Sequence, residues 1–341
     1  MRPLKFGNLR LKNRLGVSSE NVIYTDKFYK WIINNYKPSI VFSPTFSKVD
    51  PLEEQGRIYA RVAVAQLSVD GYLFYLRPLS IKRHNVKKVI DFRDDTITLI
   101  ASIYGRNLLE WEELIEFSER EGFDGLEMDL SLEPLLGEKY MISNLVSEVR
   151  SMTKLPFFVK LPVSAVSKNQ ELIHLISNID GLVLTPRLVY SVGHHLLRAC
   201  STDLSKLALG LLMSIAKELK NTIDVAFISD LPPRDIEPLI DELNLILYDM
   251  VFLLEYLGIR GKISINIREP MLRWPSIPRN MKLTILSDKL PLCRVVCPNG
   301  SIPETPLEEE ELVEVDESCD FCGLCLYLCR NNMRFTRIFK P

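Results

Sequence analysis

The chain has 341 residues, and its 42 Lys and Arg side chains nearly balance its 44 Asp and Glu side chains. Because the net charge is close to zero and no basic stripe interleaves with aromatic residues, we expect no nucleic-acid partner. No apolar run is long enough to cross a bilayer, and the first residues lack a secretory hydrophobic segment. The sequence therefore predicts a cytoplasmic protein without a membrane partner, long enough for one large α/β domain and a small appended module.

Short apolar runs alternate with helical patterns along most of the chain. The runs that we interpret as strands are Leu15–Val17, Ile40–Phe42, Ile97–Ala101, Gly125–Leu130, Phe157–Lys160, Gly181–Leu184, Ile223–Ile228 and Leu245–Tyr248. The helical patterns lie near Lys27–Asn35, Leu108–Ile115, Ile142–Met152, Glu171–Ile176 and Leu204–Leu219. Eight strand candidates with helices between most of them predict an α/β fold of the (β/α)8 TIM-barrel type. An open, doubly wound α/β sheet is the alternative.

Three segments outside this alternation define the organisation of the chain. Residues 4–13 alternate apolar and polar side chains around Gly7 and Asn8, which predicts a hairpin that can plug the floor of the barrel. Residues 45–95 are too long for an ordinary loop and predict a lid or an interface element. A proline cluster around Trp274 marks the exit from the barrel. We assign residues 1–275 to the barrel and residues 281–341 to a small cysteine-rich domain.

The cysteines are concentrated near the end of the chain, since six of the seven lie from Cys293 onward. Four of them stand in one compact run, at positions Cys319, Cys322, Cys325 and Cys329. These spacings bring several thiolates into one small volume, as an iron–sulfur cluster requires. Zinc sites more often split their ligands into two separate pairs, and a zinc site or buried free thiols are the alternative. The pattern suits a metal centre in a reducing compartment.

This cysteine run, together with Cys293 and Cys297-Pro298, resembles the bacterial-type two-cluster ferredoxins. In those proteins each cluster takes three cysteines from one motif and the fourth from the other. The resemblance implies a ferredoxin-like domain with one 4Fe–4S cluster, held by Cys297, Cys319, Cys322 and Cys325.

A second cluster of that kind is not expected. It would need cysteines at positions where the chain has Ser287 and Leu290, so Cys293 and Cys329 are interpreted as remnants of that site. A cluster held by the local run, with Cys329 in place of Cys297, is the alternative ligand set. The roles of Cys293 and Cys329 stay open.

The barrel segment resembles the dihydroorotate dehydrogenases. The resemblance lies in the segments Phe6–Asn13, Gly122–Ser131 and Pro156–Leu161, and it extends thinly over residues 4–260. Such a barrel followed by a ferredoxin module is also the arrangement of the C-terminal half of dihydropyrimidine dehydrogenase. The resemblance implies FMN in the barrel, electron transfer between a flavin or substrate and an iron–sulfur cluster, and oxidation or reduction of a pyrimidine ring. It also implies a redox partner protein and an oligomer.

Several positions of this chain depart from the residue pattern of the dihydroorotate dehydrogenases. Leu132 stands where the family has the Cys or Ser that removes a proton from the substrate, so the catalytic candidates are Ser131 and Lys160. Lys160 is the one clear flavin-binding position that the sequence retains, and an internal salt bridge with Glu127 or Asp129 is its alternative role.

The residues at the phosphate end of the predicted flavin site depart further from the pattern of the dihydroorotate dehydrogenases. Asp230 and Asp249 align with the family's glycine-containing turns after the seventh and eighth strands. Aspartates repel a phosphate dianion, and the loss of glycine removes the close approach of the backbone. The sequence thus supports two functions. One is an FMN-dependent, iron–sulfur oxidoreductase, and the other is a flavin-less barrel that serves as a redox-relay or scaffold subunit.

Overall fold

The structure is a computed structural model, and it describes most of the first 256 residues. The described residues are 4–20, 26–48, 53–54, 57–59, 62–67, 72–76, 81–82, 86, 96–132, 139–166, 175–192, 195–236, 243–256, 276–278, 281–286, 312–314 and 333–337. The α-helices are Asp26–Tyr36, Leu108–Arg120, Lys139–Ser151, Val163–Val166, Thr202–Leu219, Pro233–Ile236 and Met250–Tyr256, and Leu130–Leu132 is a 3-10 turn. Among the described helices, none combines the length and the apolar composition that crossing a membrane requires.

A closed barrel of eight parallel strands forms the centre of the molecule. In chain order, barrel strands one to eight are Leu15–Val17, Ile40–Phe42, Thr98–Ile103, Gly125–Asp129, Phe157–Pro162, Gly181–Thr185, Asp224–Ile228 and Leu245–Tyr248. Each strand pairs in parallel with the next, and strand eight pairs with strand one to close the ring. The predicted barrel is confirmed, and the open doubly wound sheet is wrong.

The N-terminal hairpin covers the floor of this barrel, as predicted. Its strands Lys5–Phe6 and Leu9–Arg10 pair in antiparallel fashion across Gly7 and Asn8. The Phe6 ring is fully buried and stacks on Phe158 of strand five with ring centroids 4.7 Å apart. The hairpin therefore fills the lower end of the barrel with an aromatic side chain.

A second apolar layer lies between the barrel strands and the surrounding helices. Helix Leu108–Arg120 begins at Asn107, whose side chain accepts a hydrogen bond from the backbone N–H of Glu110. Its buried face carries Trp111 and Leu114, whereas Leu108, which the pattern placed on that face, is 41% exposed. Leu108 lies in the first turn of the helix, where the chain enters from the barrel mouth.

The excursion after strand two contributes a separate antiparallel sheet. Its strands Val62–Leu67 and Tyr72–Leu76 join Leu188–Val192 and His195–Ser201, which follow barrel strand six. Both insertions leave the barrel at the C-terminal ends of its strands. The sheet is therefore built at the mouth of the barrel.

The remaining short strands lie in the excursion and near the end of the chain. Their bounds are Phe46–Ser47, Glu53–Glu54, Arg57–Tyr59, Ile81–Lys82, Ser276–Pro278, Met281–Leu286, Leu312–Glu314 and Met333–Arg337. The last three form an antiparallel sheet, and Ser276–Pro278 pairs with Arg57–Tyr59. The six cysteines from Cys293 to Cys329 lie outside the described residues. The ferredoxin-like domain and its boundary therefore stay predictions.

Candidate functional site: a buried charge network at the barrel mouth

Buried polar side chains gather at the C-terminal ends of the barrel strands. In barrels of this type, residues at these ends surround the site where chemistry takes place. We call the set the mouth network: Ser18, Ser19, Glu20, Thr45, Ser102, Glu127, Asp129, Ser131, Lys160, Thr185, Arg187, Arg198, Asp230 and Asp249, all at most 2% exposed. Burial of so many charges requires that they compensate one another, because an unpaired ion is costly away from water.

Lys160 lies at the centre of one half of the mouth network. Its ammonium nitrogen lies 2.7 Å from a carboxylate oxygen of Asp129 and 2.7 Å from the Ser19 hydroxyl. Glu127 and Glu20 follow at 3.4 and 3.5 Å. The side chain that the family resemblance assigns to a flavin therefore forms the internal salt bridge that the sequence offered as its alternative role.

The surroundings of Lys160 separate the pKa values of the two neighbouring carboxyl groups. Burial raises the pKa of Glu127 above its usual value, and the charge of Lys160 opposes this only in part. Burial also acts to raise the pKa of Asp129, but the charges of Lys160 and Arg198 outweigh it and leave the pKa lowered. Burial acts to lower the pKa of Lys160, yet the nearby carboxylates leave it raised. Asp129, whose pKa is lowered, is thus the main counterion of Lys160, and Glu127 is not.

Arg187 lies at the centre of the other half of the mouth network. It follows strand six, and its guanidinium donates to Glu20 at 2.9 Å and to the two carboxylates that end strands seven and eight, Asp230 and Asp249. Ser18 also donates to Asp249, at 2.6 Å. One cation thereby ties together the ends of strands one, six, seven and eight.

Arg198 links the mouth network to the antiparallel sheet. It comes from strand His195–Ser201, and it donates to the Ser131 hydroxyl at 2.8 Å and lies 3.2 Å from Glu20. The Ser131 hydroxyl in turn donates to Asp129 at 2.5 Å. Ser131, one of the two catalytic candidates, is therefore hydrogen-bonded to both Arg198 and Asp129. The neighbouring Leu132 is buried and apolar.

The phosphate end of the predicted flavin site is filled by these contacts. Asp230 and Asp249 lie where the sequence placed them, at the C-terminal rim, and both face Arg187. The backbone amides there are also engaged, because the amide of Asp230 donates to Ser205 and the amide of Met250 donates to Asp249. A phosphate group needs free amides and positive charge at such a site. These residues do not fit the phosphate of FMN.

The charge balance of the mouth network leads to the same conclusion. It contains five carboxyl groups, those of Glu20, Glu127, Asp129, Asp230 and Asp249, against the three cations Lys160, Arg187 and Arg198. Even with Glu127 protonated, the carboxylates exceed the cations by one. A dianionic ligand would add to this excess of negative charge in a region with little solvent screening.

Some hydrogen-bonding capacity is left on the Lys160 side of the mouth network. Among the described residues, the buried atoms without a hydrogen-bond partner include Glu127 Oε2, Glu20 Oε1 and Arg198 Nε. On the Arg187 side, every side-chain nitrogen of the guanidinium donates to a carboxylate. The remaining hydrogen-bonding capacity therefore lies beside Glu127 rather than beside Asp230.

The described part of the chain contains no cluster of three or more metal-binding side chains. The predicted ligands Cys297, Cys319, Cys322 and Cys325 lie outside it. Cys200, the one cysteine that is described, is buried near Arg187, and burial raises the pKa of its thiol. It therefore resembles an inert core side chain rather than a nucleophile.

Sequence reasoning missed Glu20, Arg187 and Arg198. Glu20 and Arg187 stand three and two residues beyond the ends of strands one and six. A charged residue just after a barrel strand is a usable signal, because such positions converge at the mouth. Arg198 carried no such signal, since it reaches the mouth from a hairpin that joins a remote part of the chain.

The architecture and the mouth network define the class of this protein as a parallel (β/α)8 barrel with its polar site at the C-terminal ends of the strands. No protein-family model and no curated protein matches the sequence. Among solved structures, dihydroorotate dehydrogenase from Eimeria tenella is similar at a TM-score of 0.51 and 12% identity, over 76% of this chain and 81% of that chain.

Two further solved structures show weaker similarity. A lactate oxidase from Pediococcus acidilactici matches at a TM-score of 0.44 and 11% identity, over 76% of this chain and 70% of that chain. N-acetylneuraminate lyase from Mycoplasma synoviae matches at 0.40 and 10% identity, over 68% and 66%. At these identities the likeness concerns the fold alone. This chain therefore has a barrel similar in fold to that of dihydroorotate dehydrogenase.

Proposed function

We propose that this protein is an iron–sulfur electron-transfer protein of the oxidoreductase type, in which a dihydroorotate dehydrogenase-like barrel serves as a redox-relay subunit without a resident flavin. The observation that carries the proposal is the Arg187 contact with Asp230 and Asp249 at the phosphate end of the barrel. It is supported by the compact cysteine pattern of the C-terminal segment.

The barrel half of the proposal follows from what binding of FMN would require. The phosphate would have to displace Arg187 from two carboxylates or approach those carboxylates directly. Either route leaves buried charges of the same sign together, at a cost of several kcal/mol. Residues of the mouth network instead pair with one another, and they come from the C-terminal halves of all eight barrel strands or from the segments that follow them. In this proposal their role is to hold the mouth closed.

The redox half of the proposal rests on the cysteine motif. A 4Fe–4S cluster, when bound, accepts and donates single electrons. We assign its ligands to Cys297, Cys319, Cys322 and Cys325, by the resemblance to ferredoxins. The electron donor and acceptor are proposed to be partner proteins, because the contacts of Arg187 with Asp230 and Asp249 occupy the phosphate end of the family's flavin site.

Anaerobic purification followed by cofactor analysis tests this function. We expect about four irons per chain, a broad absorption shoulder at about 400 nm, and an EPR signal after reduction by dithionite. Flavin bands at about 370 and about 450 nm should be absent from the spectrum and from the supernatant of the denatured protein. Iron-free protein, or flavin present in one copy per chain, would contradict the proposal.

A second candidate function is a redox enzyme that acts on a small polar substrate. It is favoured by the hydrogen-bonding capacity left at Glu127 Oε2 and Arg198 Nε. In that case Glu127, whose pKa is raised by burial, supplies a proton donor beside the substrate. Turnover of a small molecule with a redox dye, lost in Glu127→Gln and kept in the surface variant Glu113→Gln, would favour this function over a relay.

A further inference from the structure

A cavity lies at the floor of the barrel, at the end opposite the mouth network. It is bounded by the N-terminal hairpin, by the segment that follows helix Thr202–Leu219, and by residues at the starts of barrel strands six to eight. Its volume of about 660 Å³ is within the range of small-molecule sites. No residue of the mouth network lines this floor cavity, so neither function proposed above uses it.

Hydrogen bonds hold the walls of the floor cavity in place. The backbone amide of Gly7 donates to one carboxylate oxygen of Asp224 at 2.8 Å, and the side chain of Asn244 donates to the other at 2.7 Å. The side chain of Asn8 donates to Asp180 at 3.0 Å. These bonds tie the tip of the hairpin to the starts of strands six and seven, so the floor cavity is formed without a ligand.

The acceptors around the floor cavity are engaged by the protein itself. Both oxygens of Asp224 accept the hydrogen bonds just described. The second oxygen of Asp180 accepts from the backbone amide of Phe157 at 2.8 Å and lies 3.4 Å from the guanidinium of Arg150. The carbonyl of Leu219, at the end of the helix, accepts from two backbone amides that follow it. The negative groups of the lining are therefore directed at donors of this chain.

The positive groups are in excess. Lys5, Arg14 and Lys220 line the floor cavity, and with Arg150 they make four cations against the two carboxylates among the described residues. The ammonium of Lys5 forms no hydrogen bond and no ion pair with the part of the chain that the structure describes. Burial raises the pKa of Asp224, and the charge of Lys5 opposes this, which places the ammonium on the same side as that carboxylate.

We propose that the floor cavity binds a small molecule through a phosphate group, with Lys5 as the direct contact. A phosphate monoester carries close to two negative charges at neutral pH and offers strong acceptor oxygens. It therefore matches both the excess of two positive charges and the free ammonium. Lysine binds phosphate as a compact point charge. Asn221 and Thr222, which also line the floor cavity, supply neutral donors.

The cavity is larger than a phosphate group alone, so the organic part of such a molecule also has room. A carboxylate ligand would carry only half of the charge. The proposal is independent of the redox role, because the floor cavity and the mouth network lie at opposite ends of the barrel.

Isothermal titration of the full-length, anaerobically purified protein with inorganic phosphate tests the proposal. At about 50 mM salt, which limits screening, we expect one saturable site with a Kd of about 1 mM or lower. Acetate should bind at least about fivefold more weakly, because it carries one charge. Lys5→Gln should weaken phosphate binding at least about fivefold, because it removes the ammonium from an exposed side chain that the fold does not need.

Lys12→Gln is the matched control. It removes the same charge from an exposed position of the N-terminal segment outside the lining, and phosphate binding should stay unchanged. Asn221→Asp is a second test variant, because it adds a negative charge to the lining and should also weaken binding. Urea midpoints check that each variant is folded, and an unchanged iron content separates this test from that of the redox role.

Four results would overturn the proposal. They are the absence of saturable phosphate binding up to about 20 mM, binding that Lys5→Gln leaves unchanged, acetate binding as tight as that of phosphate, and an equal loss in Lys5→Gln and Lys12→Gln. The last two would show a general response to charge rather than a phosphate site.

Discussion

Replacement of Arg187 by methionine probes the mouth network most severely. Methionine keeps a long apolar side chain and removes the guanidinium, so it changes charge and hydrogen bonding with little change in packing volume. The substitution leaves Glu20, Asp230 and Asp249 buried without their shared cation. We therefore expect a large loss of stability from a single side chain.

The size of the expected loss of stability follows from the burial of the three carboxylates that Arg187 contacts. Removal of one member of a buried ion pair typically costs about 3–5 kcal/mol, and here one cation serves three carboxylates that are at most 2% exposed. A loss of about 4 kcal/mol or more is expected, out of a typical total of about 5–15 kcal/mol. Because the pKa of Asp249 is lowered, with the charge of Arg187 outweighing the effect of burial, part of the loss should disappear in acid, where Asp249 becomes protonated.

Urea denaturation followed by tryptophan fluorescence measures this loss. Lys48→Met is the matched control, since the side chains of Lys48 and its partner Glu113 are 43% and 32% exposed, and it should cost less than about 1 kcal/mol. A triple variant with Arg187→Met, Asp230→Asn and Asp249→Asn should recover most of the loss, because it removes the uncompensated charges. A cost for Arg187→Met as small as that of the control would refute the reasoning.

Three further predictions concern the cluster, the Lys160 side and the barrel floor. Cys297→Ala should abolish the 4Fe–4S EPR signal while Cys329→Ala keeps about four irons, and the reverse result would favour the local ligand set. Because the pKa of Glu127 is raised, the unfolded state releases its proton above about pH 4.3 while the folded state keeps it. Glu127→Gln should therefore gain stability relative to the unsubstituted protein as the pH rises from there, and a pH-independent difference in urea midpoints would count against a raised pKa. Phe6→Ala should cost about 3–5 kcal/mol in the same assay, because it empties the stacked position against Phe158, and a cost below about 1 kcal/mol would show that the hairpin does not plug the floor.

The barrel could be predicted because its elements are encoded locally. Runs such as Leu245–Tyr248 and Gly181–Leu184 are short, largely apolar and buried on both faces, as parallel strands require. The hairpin around Gly7 was equally visible, since alternation and a turn residue at positive φ suffice to define it. Local patterns of this kind predict the strands and their order along the chain. Closure into a barrel rather than an open doubly wound sheet depends on the pairing of strand eight with strand one, which only the structure shows.

The mouth network could be predicted only in part. Asp230 and Asp249 were recognised as unfavourable for a phosphate, but their cation was not foreseen, because Arg187 lies 43 and 62 residues away along the chain. The antiparallel sheet that delivers Arg198 pairs the excursion with a hairpin more than a hundred residues later. Such long-range pairings leave no periodic signal in either segment, and the contacts they create appear only in the folded protein.

Titration of the anaerobically purified protein with FMN, followed by flavin fluorescence, tests the central claim most directly. If Arg187, Asp230 and Asp249 close the phosphate end of the barrel, FMN should show no saturable binding at concentrations up to about 100 µM, while the iron content stays at about four per chain. Stoichiometric quenching of FMN fluorescence at low micromolar concentration would contradict the account, because it would show that the mouth opens to the cofactor.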